Sequence, residues 1–240
     1  MLLELPDPSH SQLRQYDAAR VQKHYEQQAQ YFTILRLGSV GDPVNSSFVH
    51  RDGFKALVYC EENLTTIQYS IRVDFSAIVF EVDARIDPTH CYLTPNGDHD
   101  HPYSSEVTPS DKFASSWFRA PSDAHEDVLA WCRALNQLER IVQQAVDPGA
   151  ALGELVAPDY SQGSESPLAF LQVGWRPPIP YTLEWLPVFT TDHKHYPIPS
   201  LAAVPFGKRV RVRFVLHGVP AKPNVPAIIG AHMLYMHILD

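Results

Sequence analysis

The sequence predicts an α+β protein that is mainly β: a small antiparallel barrel or a sandwich, with one capping helix and an N-terminal helix. Three observations support this class. Short segments in which apolar and polar residues alternate recur along the chain, as expected of strands with one buried face. The 21 prolines are spread out and indicate many strand ends and stiff turns. Two segments show the apolar spacing of a helix.

The domain organisation follows from these segments and from the length of 240 residues. Residues 1–30 are predicted to form an N-terminal arm and a helix. The apolar stripe of this helix is thin, which favours a position on a surface. Residues 31–240 are predicted to form a single β-rich domain.

The first strands of that domain are predicted over 31–37, which is rich in β-branched and aromatic residues, and over 54–60, 65–73 and 76–84. The last three are joined by short turns, which is typical of an antiparallel meander. Residues 85–121 are polar and contain five prolines. They are predicted to be a long connection.

The capping helix is predicted near 123–146. Asp123 and Glu126 have the spacing of a capping box, and apolar residues such as Trp131 and Leu138 follow with helical spacing. Residues 147–149, Asp-Pro-Gly, end the helix. Its apolar side is wide, so we expect it to pack on the sheet.

The last strands are predicted over 168–175, 181–190, 208–217 and 231–239. Seven or eight short strands with one helix across an end suit a small barrel of the OB type, and a sandwich is the alternative.

Charge is distributed unevenly along the chain. The net charge is −8, which argues against a general nucleic-acid binder, but residues 193–239 contain six basic residues and no acidic ones. Such an asymmetry creates surfaces of opposite potential if the fold keeps the two parts apart. The alternative is that the basic segment packs on the acidic body and neutralises it.

The basic segment contains the strongest candidate for a binding surface. Arg209, Arg211 and Arg213 alternate with apolar residues, so a strand would place all three on one face, about 6.5–7 Å apart. Guanidinium groups bind phosphates bidentately and stack on bases. We expect no carboxylate partners for them, because no acidic residue is near in sequence. The alternative is a charged strand face that keeps the protein soluble.

Further side chains are assigned to the same candidate interface. Basic residues that add to its field are Lys194 and Lys208, and aromatic residues that would stack on bases are Tyr181, Trp185 and Tyr235.

Metal chemistry is a weaker hypothesis. His50 and Asp52 form the His-x-Asp pair of facial-triad iron oxygenases, with His195 and Arg209 or Arg211 as distant partners. The spacing fits that pattern poorly, and most of the 12 histidines are expected to be solvated. No common catalytic motif occurs, so we predict no cofactor and favour a protein that is not an enzyme.

Three cysteines without a CxxC arrangement favour reduced thiols in an intracellular protein, nuclear or cytoplasmic. No apolar run is long enough for a membrane span, and the first residues do not have the composition of a secretory signal.

The C-terminal stretch shows one resemblance. The strand 210–216, a Pro-rich spacer and a closing strand that ends in Met236-His237-Ile238-Leu239-Asp240 resemble short OB-fold-like proteins encoded near fungal mobile elements. The resemblance covers about 30 residues and includes no catalytic motif. It implies a module that binds single-stranded nucleic acid.

The sequence therefore predicts a non-enzymatic protein that binds single-stranded DNA or RNA. A protein–protein assembly module, for example a homo-oligomer held by its opposite charges, is the alternative. The His-x-Asp oxygenase is the third hypothesis.

Overall fold

A computed structural model describes residues 33–39, 58–60, 78–94, 97, 114–145, 155–158, 169–175, 186–219 and 228–240. Within these residues the chain forms a nine-stranded sheet, one α-helix and one short 3₁₀ helix. The N-terminal arm and helix predicted over 1–30 lie outside them, as does the strand predicted over 65–73. None of the helices in these ranges is long and apolar enough to cross a lipid bilayer.

The elements follow one another along the chain in this order: β1 (Thr33–Arg36), β2 (Val58–Cys60), β3 (Ile78–Cys91), β4 (Ala114–Arg119), α1 (His125–Ala145), β5 (Val156–Pro158), β6 (Ala169–Trp175), β7 (Val188–Phe189), the 3₁₀ helix (Leu201–Ala203), β8 (Val210–Val219) and β9 (Ile228–Ile238).

Five of the strands close into a barrel. β3 pairs with β4, β4 with β6, β6 with β9, β9 with β8, and β8 again with β3. The pair β6–β9 is parallel, and the other four pairs of the ring are antiparallel. Numbered along the chain, this is the ring 1-2-3-5-4-1 of an OB barrel. The prediction of a mainly β barrel with a helix is confirmed, and the sandwich alternative is wrong.

β3 pairs with three other strands and closes the barrel. Its first half lies between β1, which runs parallel to it, and β8, and its second half pairs with β4. The prediction that 85–121 is one long connection is therefore wrong, because β3 continues to Cys91 and β4 occupies Ala114–Arg119. The register shifts between Ile86 and Cys91. Pro88 lies in this irregular part, where a strand tolerates a residue that has no N–H to donate.

The barrel interior is filled by the apolar side of the alternating strands. Phe80 on β3 lies opposite Phe214 on β8, and their rings stack with centroids 5.5 Å apart. Both are fully buried, as are Val212 on β8 and Phe118 on β4. Because successive strand residues face opposite sides, the charged residues of β3 and β8 are forced onto the outer surface of the barrel.

The predicted helix is confirmed as α1. Trp131, Leu138 and Ile141 are buried against the barrel, and the Trp131 Nε1–H donates a 2.9 Å hydrogen bond to the Ala169 carbonyl of β6. The predicted capping box is wrong, because the Asp123 carboxylate binds the Arg85 guanidinium. The Ser122 hydroxyl accepts a hydrogen bond from the Ala124 N–H instead.

Candidate functional site

The basic strand β8 has the predicted alternation. Val210, Val212 and Phe214 face the core. Arg209 directly before β8 and Arg211 and Arg213 on it lie on the other side, with side chains exposed by 40%, 28% and 21% in that order. The pairing with β3 sets what these arginines meet, because Arg213 lies opposite Glu81 and Arg211 lies opposite Asp83.

Both carboxylates bind the arginines directly. The Arg213 Nε–H donates to Glu81 Oε2 at 2.6 Å. The Arg211 guanidinium is bidentate on Asp83, with Nε 2.8 Å from Oδ1 and Nη2 3.2 Å from Oδ2. The expectation of arginines without carboxylate partners is therefore wrong. The partners come from a strand about 130 positions away, which proximity in sequence does not show.

Two further guanidinium groups join Asp83. Arg36 Nη2 lies 3.0 Å from Asp83 Oδ2, and Arg209 Nη2 lies 3.1 Å from the same oxygen. Burial raises the pKa of Asp83, but the hydrogen bonds and charges of Arg211, Arg36 and Arg209 outweigh it and hold the pKa below its ordinary value. We call Arg36, Arg209, Arg211 and Asp83 the arginine cluster.

Three of the other predicted interface residues are described: Tyr235 pairs with Arg213 across β8 and β9, Lys208 lies just before β8, and Lys194 lies on a separate turn. Tyr235 is 4% exposed, and its ring lies under Arg213, with the guanidinium carbon 5.0 Å from the ring centroid. This burial gives a base little access to the ring, and the stacking of Tyr235 on a base stays a prediction. Lys194 pairs with Asp192 at 2.6 Å on an exposed turn, which lowers the pKa of Asp192 to about 2. Lys208 is exposed just before β8.

Four of the predicted site residues lie outside the described residues. They are the aromatic residues Tyr181 and Trp185 and the His-x-Asp pair of the metal hypothesis, His50 and Asp52. Within the described ranges, no group of three or more His, Cys, Asp or Glu side chains is placed to hold a metal ion. The His195 Nε2–H donates to the Leu186 carbonyl at 3.0 Å, and burial lowers the pKa of this imidazole.

A different aromatic group lies on the outer face of β3, β4 and β6. The His90 and Trp117 rings stack with centroids 4.0 Å apart and an angle of 16° between planes. Phe170 closes the group, 5.3 Å from Trp117 and 6.4 Å from His90 between centroids. We call these three residues the aromatic platform. The His90 side chain is 40% exposed, so the platform reaches solvent.

The platform is formed by the pleat of the barrel strands. Ser116 and Phe118 of β4 face the core, so Trp117 between them must face outwards. Trp117 lies opposite Gln172 on β6, and Phe170 lies on the same outer face two residues before Gln172. The second and third strands of the barrel therefore place an indole and a phenyl ring side by side, with Trp117 partly exposed and Phe170 buried beside it.

Polar groups flank the platform. The Arg119 side chain, 39% exposed, has its Nε 3.8 Å from the Asp87 carboxylate, and His90 Nδ1 lies 3.6 Å from the same group. These separations are too long for hydrogen bonds, and neither nitrogen has another partner within the described part of the chain. Arg85 is held by Asp123. Asp123 thus compensates the charge of Arg85, whereas Arg119 has a looser partner in Asp87, and the aromatic rings are the main feature of this surface.

Sequence reasoning missed the platform because His90 and Trp117 fall inside 85–121, which was predicted to be a connection. The alternation of Ser116, Trp117, Phe118 and Arg119 is the signal of a strand with one aromatic face. The prolines before and after this short run hid that signal.

No family model matches the chain, and no curated protein matches it. Among solved structures, the chain is similar to the single-stranded DNA-binding protein of bacteriophage Enc34 in a C-terminally truncated form. Identity is 13% over 67% of this chain and 83% of that chain, with a TM-score of 0.39. The complex of the Enc34 protein with single-stranded DNA gives 12% identity, 66% and 84% coverage, and a TM-score of 0.38.

A second similar structure is gp2.5, a single-stranded DNA-binding protein encoded by bacteriophage T7. Identity is 12% over 68% of this chain and 91% of that chain, with a TM-score of 0.40. Similarity at this level carries no argument, so the assignment of an OB barrel rests on strand order and register. The comparisons do not bear on the resemblance to proteins encoded near fungal mobile elements, which stays an expectation.

Proposed function

We propose that the protein binds single-stranded nucleic acid, and that the bases stack on the aromatic platform. The observation that carries the proposal is the ring group of His90, Trp117 and Phe170 on the first, second and third strands of an OB barrel. In OB barrels this face commonly binds oligonucleotides or oligosaccharides. The Arg119 side chain is 39% exposed and follows Trp117 by two residues on β4, which favours a ligand with phosphates.

Binding on this surface is driven by stacking. His90 covers one face of Trp117, so an incoming base extends the stack on the outer side of the imidazole, whose side chain is 40% exposed. A stacked base contributes about 1–3 kcal/mol, and the contribution depends little on sequence because every base has a flat face. The ligand must be single-stranded, because bases paired in a duplex do not present their faces.

The basic strand has a smaller part in this proposal than its sequence predicts. Asp83 and Glu81 already accept hydrogen bonds from Arg211 and Arg213, which leaves only part of each guanidinium for a ligand. Most of the charge on β8 therefore stabilises the pairing of β8 with β3. We assign base stacking to the platform and not to Tyr235.

The test is a fluorescence-polarisation titration with a labelled oligothymidylate of about 12 nucleotides, within the usual site size of an OB barrel. Trp117→Ala should weaken binding about five- to 150-fold, which corresponds to the loss of one stacked base. Trp117→Phe retains a ring and should lose much less.

The matched control is Leu201→Ala, which removes an exposed apolar side chain from the 3₁₀ helix, away from the barrel strands. It should bind like the unaltered protein. Equal affinity of Trp117→Ala and Leu201→Ala, with both proteins folded by circular dichroism, would contradict the proposal.

The assembly-module alternative finds less support. Its premise is a basic surface separated from an acidic one, but the arginines of β8 are paired with the carboxylates of β3, so the two are not separate surfaces. Light scattering at low and high salt tests it directly: an oligomer that dissociates at high salt and binds no oligonucleotide would favour assembly.

A further inference from the structure

The arginine cluster gathers more positive charge than its carboxylates offset. Three guanidinium groups, those of Arg36, Arg209 and Arg211, donate to the single oxygen Asp83 Oδ2 at 3.0 to 3.2 Å. Like charges come this close only around an anion, and Asp83 supplies that anion at the centre of the cluster.

The charges around the cluster do not cancel within the described residues. Four guanidinium groups, with Arg213 as the fourth, meet Glu81 and Asp83, and a third carboxylate, Asp127, lies 3.8 Å from Arg209 Nη1. Each guanidinium has five N–H donors in a fixed fork, so the contacts to these carboxylates use only some of the donors within the part of the chain that the structure describes.

The arginine side chains are the exposed part of the cluster. The side chain of Arg36 is 50% exposed and that of Arg209 is 40% exposed, whereas those of Glu81 and Asp83 are 6% and 10% exposed. The carboxylates therefore lie beneath the guanidinium groups, and the outer surface of the cluster is a layer of N–H donors. This is the chemistry that binds a phosphate group.

We propose that Arg36, Arg209 and Arg211 form a phosphate-binding site for the backbone of the same strand that stacks on the aromatic platform, with Asp83 as an internal anion that competes with the phosphate. The proposal rests on the function proposed above. The phosphate site is a second contact with the nucleic acid, at another place on the barrel. Arg209 and Arg211, which the sequence predicts, contribute to it together with Arg36 of β1.

The geometry allows one nucleic-acid strand to reach both the arginine cluster and the aromatic platform. Asp83, under the arginine cluster, and Asp87, beside the platform, lie on the same outer face of β3, and four residues of a strand span about 13 Å. One OB barrel usually occupies about 4–16 nucleotides, which is more than enough to span this separation.

The test measures how oligothymidylate affinity depends on salt. Each phosphate contact of a single strand contributes about 0.7 to the slope of log affinity against log salt. Arg36→Ala should reduce the slope by about 0.7, so that between 50 and 200 mM salt its affinity falls about threefold less than that of the unaltered protein. Arg140→Ala is the matched control, because it removes the same charge from the exposed surface of α1.

Asp83→Asn supplies the opposite perturbation. It removes the internal anion and should raise both the affinity and the salt slope. A purely structural network would not give opposite changes for Arg36→Ala and Asp83→Asn. Equal slopes for Arg36→Ala and Arg140→Ala would overturn the proposal.

A second probe distinguishes failure of the phosphate site from failure of the proposed nucleic-acid binding. Inorganic tripolyphosphate should raise the thermal midpoint of the unaltered protein, and this shift should be lost in Arg36→Ala but kept in Trp117→Ala. A shift that persists in Arg36→Ala overturns the site. If tripolyphosphate binds at the cluster and no oligonucleotide binds at all, the site takes free phosphates, and both the nucleic-acid function and this backbone assignment fail.

Discussion

Replacing Asp83 by Asn should destabilise the fold, and the loss should depend on pH. The substitution leaves an amide where one carboxylate oxygen accepts from three guanidinium groups. Breaking a buried ion pair costs about 3–5 kcal/mol. The arginine side chains here are between 28% and 50% exposed, so solvent screens them, and we expect about 2 kcal/mol at pH 7.

The direction of the pH dependence follows from the lowered pKa of Asp83. In the unfolded chain an Asp titrates near its reference pKa of about 3.9. The ionised carboxylate therefore contributes its full stabilisation above that value, and the contribution is lost as the pH falls through the lower pKa of the folded state. The difference in stability between the unaltered protein and Asp83→Asn should be largest at neutral pH and should shrink in acid.

Urea denaturation followed by circular dichroism, repeated between neutral and acidic pH, measures this difference. Asp123→Asn is the control, because Asp123 also binds an arginine but lies exposed at the surface, and its effect should be much smaller. A difference for Asp83→Asn that stays constant across the range, or grows in acid, would refute the linkage argument.

Two further predictions concern packing. Gly38 has a φ of +81°, and a Cβ there would lie 2.7 Å from the Ala130 carbonyl oxygen of α1, whereas Gly207 has a φ of +75° and open space around it. Gly38→Ala should therefore lower the urea midpoint more than Gly207→Ala, which incurs only the backbone strain of about 1–3 kcal/mol; equal midpoints would show that the close approach of β1 to the helix is unimportant. Cys91 is buried, and burial raises the pKa of its thiol, whereas Cys132 is partly exposed. Iodoacetamide should label Cys132 well before Cys91 in the native protein by mass spectrometry, and labelling of both at one rate would be inconsistent with the described core.

The elements that could be predicted from the sequence are those whose pattern is local. The helix spacing around Trp131 and Leu138 and the alternation of β8 each depend on neighbouring residues, and both are present in the structure. β4 was missed because six residues between proline-rich stretches give too short a pattern to separate a strand from a loop. The topology was not predictable beyond the barrel class, since parallel pairs such as β1–β3 depend on partners far apart in the chain.

The candidate site shows the same limit more sharply. Arg211 and Arg213 could be placed on one face from their spacing alone, but their relation to Glu81 and Asp83 depends on which strand lies beside β8. The aromatic platform likewise requires two pairings, β3 with β4 and β4 with β6, before His90, Trp117 and Phe170 meet. A sequence shows which residues are charged or aromatic. Which charges pair with each other, and which rings meet, depends on the register between strands.

Glu81 and Asp83 link stability to the proposed binding. The network they form with the arginines stabilises the junction of β1, β3 and β8, while the same carboxylates compete with any phosphate that approaches the guanidinium groups. A residue that raises stability and lowers affinity through the same contacts should give opposite effects when removed. Asp83→Asn should therefore be less stable than the unaltered protein and yet bind oligothymidylate more tightly. If the less stable protein also binds more weakly, the cluster serves the fold alone, and recognition belongs to the stacked rings of the platform.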